Sequence, residues 1–207
     1  MPNTIYNRSV RDILPDIPTS EEKQALRKEL GIPEGRMILA VGQFIYRKGF
    51  DVLLRGAKAM PADVGIYIVG GEADERYTKL RQELGLEKNV HFWGFRPRQE
   101  LAELYMAADL FCLPTREDIW GLVVNEAMAF GLPVVTTDQC VAGMELVEEG
   151  VNGYLVPIED ADALSDGLNK VLSSDLEAMG RASLRKIQGY TIEKMAEVHL
   201  TLVQEKE

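Results

Sequence analysis

Short apolar segments alternate with amphipathic segments along most of this chain, and that alternation limits the possible folds more than any other feature. Segments that are apolar almost throughout and bounded by Gly, Pro or Asp are typical of parallel strands buried on both faces. Six segments have this profile: Met37–Val41, Ile66–Val69, Val90–Trp93, Leu110–Leu113, Pro133–Thr136 and Tyr154–Val156. Helical patterns lie between them, at Phe50–Met60, Asp74–Leu84, Arg98–Ala107, Leu122–Phe130 and Ala161–Leu172. We therefore expect an α/β protein with a Rossmann-like, doubly wound parallel sheet of six strands and helices on both faces.

The two ends of the chain lie outside this alternation. Residues 1–36 contain a proline-punctuated stretch followed by a short helix, predicted at Ser20–Leu30 with Thr19 or Ser20 as its N-cap. Residues 174–207 are helical in pattern, but no strand follows them. A sheet that starts this late, after an extended lead-in, indicates the second half of a larger protein.

The charge balance excludes one class of partner. The formal net charge is −10 and Lys and Arg do not cluster, whereas nucleic-acid binding needs a basic surface. A diphosphate remains a suitable ligand, because a few cations and backbone amides suffice to bind it. The chain has no apolar run long enough to span a bilayer and no signal-peptide pattern at its start. We therefore expect a cytoplasmic protein.

Cysteine and histidine are too sparse for a metal site. Cys112 and Cys140 have no metal-ligand spacing and are predicted to be free thiols. His91 and His199 are too few and too far apart for a metal site or a Ser-His-Asp triad. The sequence therefore predicts neither a bound metal nor a cofactor.

The loop after the first predicted strand carries two adjacent cations. Ligands of open parallel sheets bind outside the carboxyl ends of the strands. Gly42 opens this loop, and Arg47 and Lys48 stand at the start of the next predicted helix. A helix N-terminus with a Lys or Arg is suited to a diphosphate. A solvated basic turn explains the segment equally well, and neither a Walker loop nor a dinucleotide fingerprint is present.

The loop after the fourth predicted strand is the most informative. Glu126 lies within a run of Leu, Val, Ala and Met that is predicted to be the buried face of a helix, where a carboxylate needs a partner. Asp118 lies in the loop before that helix, and Gly121 leaves room for backbone amides to touch a phosphate. Both carboxylates could face one ligand. Alternatively, Asp118 caps the helix and Glu126 pairs with a core Arg or Tyr.

These motifs resemble those of the retaining glycosyltransferases of family 4. The similarity covers residues 37–173 and implies the C-terminal, donor-binding domain of a GT-B fold, whose cleft an N-terminal domain closes. It implies that residues 1–36 hold a remnant of the interdomain linker, and that a C-terminal helix at Ile192–Gln204, within residues 174–207, crosses back to the missing domain. The similar motifs are Asp118-x7-Glu126-Ala-Met-Ala and Gly131-Leu-Pro-Val-Val within Pro114–Val135, Lys48-Gly49, Gly94-Phe95, Tyr105-x2-Ala108-Asp109 and Gly150-x2-Gly153-Tyr154-Leu-Val.

The resemblance implies a role for each matched position. Asp118 and Glu126 are the implied catalytic pair: Asp118 would contact the transferred sugar, and Glu126 would accept hydrogen bonds from the ribose hydroxyls. Lys48 would hold the donor diphosphate, and the amides around Gly121 and Leu122 would meet phosphate oxygens. The remaining implied donor contacts are Gly42, Gln43, Arg47, Phe95 and Arg96, the last two beside the base.

Two positions depart from the family pattern. The first acid of the family is usually Glu, whereas this chain has the shorter Asp118, and the adjacent Glu117 is an alternative first acid. The Arg that usually follows the glycine of the first loop is Gln43 here, which removes one cation from the diphosphate site. We expect Arg47 to compensate for it.

The function implied is donor binding for a hexosyltransferase that retains the anomeric configuration and needs no metal. The donor would be a nucleotide sugar, UDP-linked by prevalence or else GDP-linked, and the acceptor a saccharide or lipid-linked molecule in polysaccharide or glycoconjugate synthesis. Without the missing N-terminal domain, which could attach the enzyme to the inner face of the membrane, the chain alone would be inactive. Two alternatives stay open: a non-enzymatic nucleotide-binding partner subunit, and half of a GT-B sugar-nucleotide epimerase.

Overall fold

The computed structural model describes residues 17–190 and residue 196. In these residues it has the strands β1 Arg36–Val41, β2 Val64–Val69, β3 Val90–Trp93, β4 Leu110–Leu113, β5 Val134–Thr137 and β6 Gly153–Val156. The α-helices are α1 Ser20–Glu29, α2 Phe50–Gly56, α3 Glu75–Glu83, α4 Arg98–Ala107, α5 Leu122–Ala129, α6 Val141–Leu146, α7 Ala161–Leu172 and α8 Leu176–Ile187. Two 3-10 turns, Tyr46–Lys48 and Ala57–Ala59, precede and follow α2.

The strands form one parallel sheet in the order β3-β2-β1-β4-β5-β6. Strand β1 lies between β2, which follows it in sequence, and β4, which does not. The chain therefore builds one half of the sheet outward from β1, returns, and builds the other half outward from β4. This confirms the predicted doubly wound sheet of six strands.

The core lies on both faces of the sheet. Along β1, Ile38 and Ala40 pack into one apolar cluster, and Met37, Leu39 and Val41 into the other. Every residue of β4 is fully buried. A strand covered on both faces cannot alternate apolar with polar residues, which is why these strands are continuous apolar runs in the sequence.

Several predicted elements differ from the observed ones by one or two residues at an end, two differ for a definite physical reason, and one helix was not predicted. Strand β5 begins at Val134 because Pro133 has no N–H to donate to the ladder, although its carbonyl accepts from Phe111. The helix predicted at Phe50–Met60 ends at Gly56 and continues as a 3-10 turn. Helix α6 was not predicted, because its six residues are too few to establish a helical period.

Helix α1 is capped as predicted and held by a buried ion pair. Thr19 is the N-cap, in a capping box with Glu22. Arg27 is 2% exposed and places Nη2 2.7 Å from Asp109 Oδ2, which also accepts from the amide of Met37 at 2.7 Å. The Arg27 guanidinium donates to the carbonyl of Ala107 as well, at 2.5 and 2.8 Å. These contacts join the lead-in helix to the ends of β1 and α4.

Helix α8 packs against α5 of the same domain, with Met179, Ala182 and Ile187 buried. Whether the C-terminal segment crosses to another domain stays a prediction, since Ile192–Gln204 falls outside the described residues apart from Ala196. Within residues 17–190 and 196, no helix is both long enough and apolar enough to cross a membrane.

We expect Arg27→Met to lower the free energy of unfolding by about 3–5 kcal/mol, because the change leaves the buried Asp109 carboxylate without its main partner. Methionine keeps most of the side-chain volume, so the loss measures the charge rather than a cavity. Urea unfolding measures the difference. The control is Arg181→Met, which removes an exposed pair with Glu177 on α8 and should cost less than about 1 kcal/mol. Equal losses in both variants would contradict a special role for Arg27.

Candidate functional site

The candidate site lies where the carboxyl ends of β1 and β4 meet. These two strands are neighbours in the sheet, and their crossovers lead in opposite directions. Lys48 closes the 3-10 turn after β1, and Asp118 lies in the loop after β4. A crevice at such a switch point is the usual place for a ligand in an open parallel sheet.

Lys48 and Asp118 form the central ion pair. Lys48 Nζ donates to Asp118 Oδ2 at 2.6 Å, and both side chains are largely buried, at 13% and 14% exposure. Arg47 Nη1 lies 3.7 Å from the same oxygen and donates to the carbonyl of Glu117 at 2.9 Å. Asp118, rather than Glu117, therefore supplies the carboxylate that faces both cations.

The two loops that carry this pair touch through their backbones. Gly49 has φ +67°, and a Cβ there would lie 1.8 Å from the carbonyl oxygen of Pro114. The amide of Arg116 donates to the carbonyl of Arg47 at 2.7 Å, and the Thr115 hydroxyl donates to that carbonyl at 2.9 Å. Glycine is thus required after Lys48, because any side chain would push the two loops apart.

The far side of the Asp118 loop is joined to the start of α6. The Asp118 amide donates to Gln139 at 3.0 Å, and its carbonyl accepts from Val141 at 3.2 Å. Gly121 has φ +96°, and a Cβ there would lie 2.7 Å from the sulfur of Cys140. The unpredicted helix α6 therefore begins beside the site and holds the Asp118 loop in place.

The N-terminus of α5 opens at the same loop. Its N-cap is Gly121, so the capping residue offers no side-chain acceptor. The alternative that Asp118 caps α5 is wrong. The positive end of the helix dipole and the amides of the first turn favour an anion there, and the phosphate contacts of Gly121 and the exposed Leu122 stay a prediction.

Glu126 is held by a tyrosine. Tyr105 Oη donates to Glu126 Oε2 at 2.9 Å, and the Tyr105 ring stacks on Phe130 with 5.2 Å between ring centroids. The alternative prediction of a pair with a core Tyr is therefore confirmed. A carboxylate accepts about four hydrogen bonds, so this bond does not exhaust Glu126. Burial raises the pKa of Glu126, and the hydrogen bond from Tyr105 and the charge of Arg98 offset only part of that increase.

The remaining predicted residues lie around this pair or apart from it. Gly42 lies beside the aliphatic part of Lys48, since a Cβ on Gly42 would be 3.5 Å from Lys48 Cδ and Cε. Gln43 is exposed in the same loop. Phe95 is 80% exposed after β3, and Arg96 stacks on Trp93 and pairs with Glu100 at 3.4 Å. No contact of Phe95 or Arg96 with the Lys48–Asp118 pair is found among the described residues.

The sequence reasoning missed a second ionic cluster next to the site. Arg116, two positions before Asp118, lies between the carboxylates of Asp51 and Glu159, and its side chain is 9% exposed. The one sequence feature that pointed to this cluster was an arginine in the same loop as Asp118. Its partners come from α2 and from the segment before α7, which sequence spacing does not relate to that loop.

Both cysteines are free, as predicted, and the structure buries both. Burial raises the pKa of the Cys140 thiol, which keeps it protonated beside the site. In the part of the chain that the structure describes, no three His, Cys, Asp or Glu side chains are grouped so as to hold a metal ion.

Comparison with known proteins identifies the family. The model of the family "Glycosyl transferases group 1" matches residues 22–191. A D-inositol 3-phosphate glycosyltransferase of Mycolicibacterium gilvum is 35% identical over 174 residues, which are 80% of this chain and 39% of that protein.

Two solved structures have the same fold at higher coverage. Sucrose-phosphate synthase from Thermosynechococcus elongatus matches with a TM-score of 0.78 and 28% identity, over 92% of this chain and 49% of that one. Anabaena HepE, solved in complex with UDP, matches with a TM-score of 0.77 and 26% identity, over 91% and 55% of the two chains.

The chain spans about two fifths of the length of the curated relatives it matches. The matched region nevertheless contains the whole sheet, both loops of the switch point and helix α5. The chain belongs to the group 1 glycosyltransferase family.

Proposed function

We propose that this domain binds a nucleotide sugar and holds its diphosphate as the leaving group of glycosyl transfer. The observation that carries the proposal is the Lys48–Asp118 pair, 2.6 Å apart at the switch point of the sheet, close in sequence to helix α5, whose N-cap Gly121 makes no side-chain hydrogen bond. A buried lysine and a helix N-terminus both favour negative charge.

Cleavage of the bond between the sugar and the diphosphate moves negative charge onto the diphosphate. The Lys48 ammonium and the first-turn amides of α5 would stabilise that charge. Asp118 holds Lys48 in the crevice before the donor arrives, so the cation needs little reorganisation. We assign Asp118 to the transferred sugar and Glu126 to the ribose hydroxyls.

We further propose that the donor is a UDP-sugar of the hexose type, with a GDP-sugar as the alternative. The support is the similarity to HepE, which was solved with UDP. The acceptor would be a saccharide or a lipid-linked molecule, held by an N-terminal domain beyond the present chain. We propose retention of the anomeric configuration on the family resemblance alone.

Calorimetric titration of the 207-residue chain with UDP, GDP, ADP and their hexose conjugates tests donor binding. We expect one nucleotide to bind selectively and Lys48→Met to weaken it about 10- to 100-fold, the range for a lost charge-assisted hydrogen bond. Lys79→Met, which removes an exposed lysine of α3, is the matched control and should leave affinity unchanged. Failure of every nucleotide to bind the folded chain would contradict the proposal.

Donor affinity should also fall on acidification, at a pH above the ordinary titration range of a glutamate. Burial raises the pKa of Glu126, so the carboxylate takes up its proton above the ordinary value of about 4.3 and then loses acceptor capacity toward the ribose. The probe should be a nucleotide sugar. Its diphosphate is esterified at both ends, so the ligand lacks the terminal phosphate group whose own titration would add to the pH dependence. In Glu126→Gln the affinity should be weak and independent of pH, and a pH dependence equal to that of the parent would exclude Glu126 as its source.

Arg47 should supply the positive charge beside the diphosphate that Gln43 does not provide. It is 44% exposed and lies 3.7 Å from Asp118, so its guanidinium can reach a ligand held by Lys48. We expect Arg47→Ala to weaken nucleotide binding about 3- to 10-fold, less than Lys48→Met because solvent screens an exposed charge. Gln43→Arg in the Arg47→Ala background should restore the affinity if the two positions serve one role. No loss in Arg47→Ala would rule out compensation.

A further inference from the structure

Arg116 makes two bidentate ion pairs at once. Its Nη1 and Nη2 donate to the two carboxylate oxygens of Asp51, each at 2.8 Å. Its Nε and Nη2 donate to the two oxygens of Glu159, the second at 3.0 Å. All the guanidinium nitrogens are thereby bonded, in the planar geometry that arginine has and lysine lacks.

Tyr46 closes the cluster from a third side. Arg116 Cζ lies 3.9 Å from the centroid of the Tyr46 ring, and Arg116 Nη1 donates to the Tyr46 carbonyl at 2.5 Å. The Tyr46 hydroxyl donates to Glu159 at 3.1 Å. The cluster therefore joins the turn after β1, the loop after β4 and the segment before α7.

The backbone conformation of Glu159 indicates that its contacts hold this junction in one arrangement. It is the one non-glycine residue with positive φ in the described part of the chain, at +60°. A residue is kept in this sparsely populated conformation only where its surroundings hold it. Hydrogen bonds from Arg116 lower the pKa of Glu159. Burial by itself would raise the pKa of Asp51, but the hydrogen bonds and charge of Arg116, together with the charge of Arg76, lower it overall.

The cluster lies next to both members of the functional pair. Tyr46 stands two positions before Lys48, and Arg116 two positions before Asp118. We propose that Arg116 is a positioning residue, which sets the separation of Lys48 and Asp118 by clamping their two loops to each other and to Glu159. If the proposed function is right, Arg116 also affects diphosphate affinity, because it positions Lys48; this consequence rests on the proposed function.

The clamp has a test that needs no nucleotide. The coupling between Lys48 and Asp118 is measured from the unfolding equilibria of Lys48→Met, Asp118→Asn and the double variant, in the parent and in Arg116→Lys. We expect a coupling of about fivefold in the unfolding constant of the parent, and its loss in Arg116→Lys. The control background is Arg36→Lys, which alters a bidentate pair with Asp63 at the amino ends of β1 and β2, away from the site, and should leave the coupling intact. An unchanged coupling in Arg116→Lys would overturn the proposal.

Nucleotide binding supplies the second test. Arg116→Lys should weaken UDP binding about fivefold in the parent and less than about twofold in Lys48→Met, because a residue that acts through Lys48 has no effect once Lys48 is gone. Equal losses in both backgrounds would show that Arg116 does not act through Lys48.

Glu159→Gln is the milder variant should Arg116→Lys fail to fold, since Glu159 is half exposed and Asp51 remains. It should reduce both the Lys48–Asp118 coupling and the UDP affinity, and no change in either would refute the clamp. If the parent chain binds none of the tested nucleotides, the proposed function fails, while the coupling measured by unfolding still decides the role of Arg116.

Discussion

The parallel pairing of β1 with β4 is the constraint on which the rest of the site depends. It brings together the carboxyl ends of two strands whose following loops carry Lys48 and Asp118, 70 positions apart in the chain. Helices leave this point on opposite faces of the sheet, and open parallel sheets form their ligand crevice outside the strand ends at such a point. A cation, a carboxylate and the N-terminus of α5 then share a space that no single loop could form.

Buried ion pairs fix the elements around that crevice. Arg27 with Asp109 joins the lead-in helix to β1, and Arg116 with Asp51 and Glu159 joins the loops at the other end of the strands. Burying such charges costs as much desolvation energy as their attraction returns, so they contribute little net stability. Their value lies in geometry, because an arginine bonded on all sides has only one low-energy arrangement.

Sequence patterns predicted the elements well and the ionic contacts poorly. The apolar runs of β3 and β4 and the helices α4 and α7 have the predicted bounds, because burial on both strand faces and helical periodicity are local signals. Helix α6 is too short to carry such a signal. The partners of Arg116 lie 43 to 70 positions away, and nothing in the spacing of charged residues indicates which of them will meet.

The sequence by itself determined the fold class, the number of strands, and the two loops in which Lys48 and Asp118 stand. These follow from residue type and periodicity, and from spaced motifs that resemble one family. Only the tertiary structure decided which groups touch: Lys48 with Asp118, Glu126 with Tyr105, and Arg116 with Asp51. The reason is physical, since hydrogen bonds and ion pairs need distances of about 3 Å, and the packing of the whole sheet sets distances between segments remote in sequence.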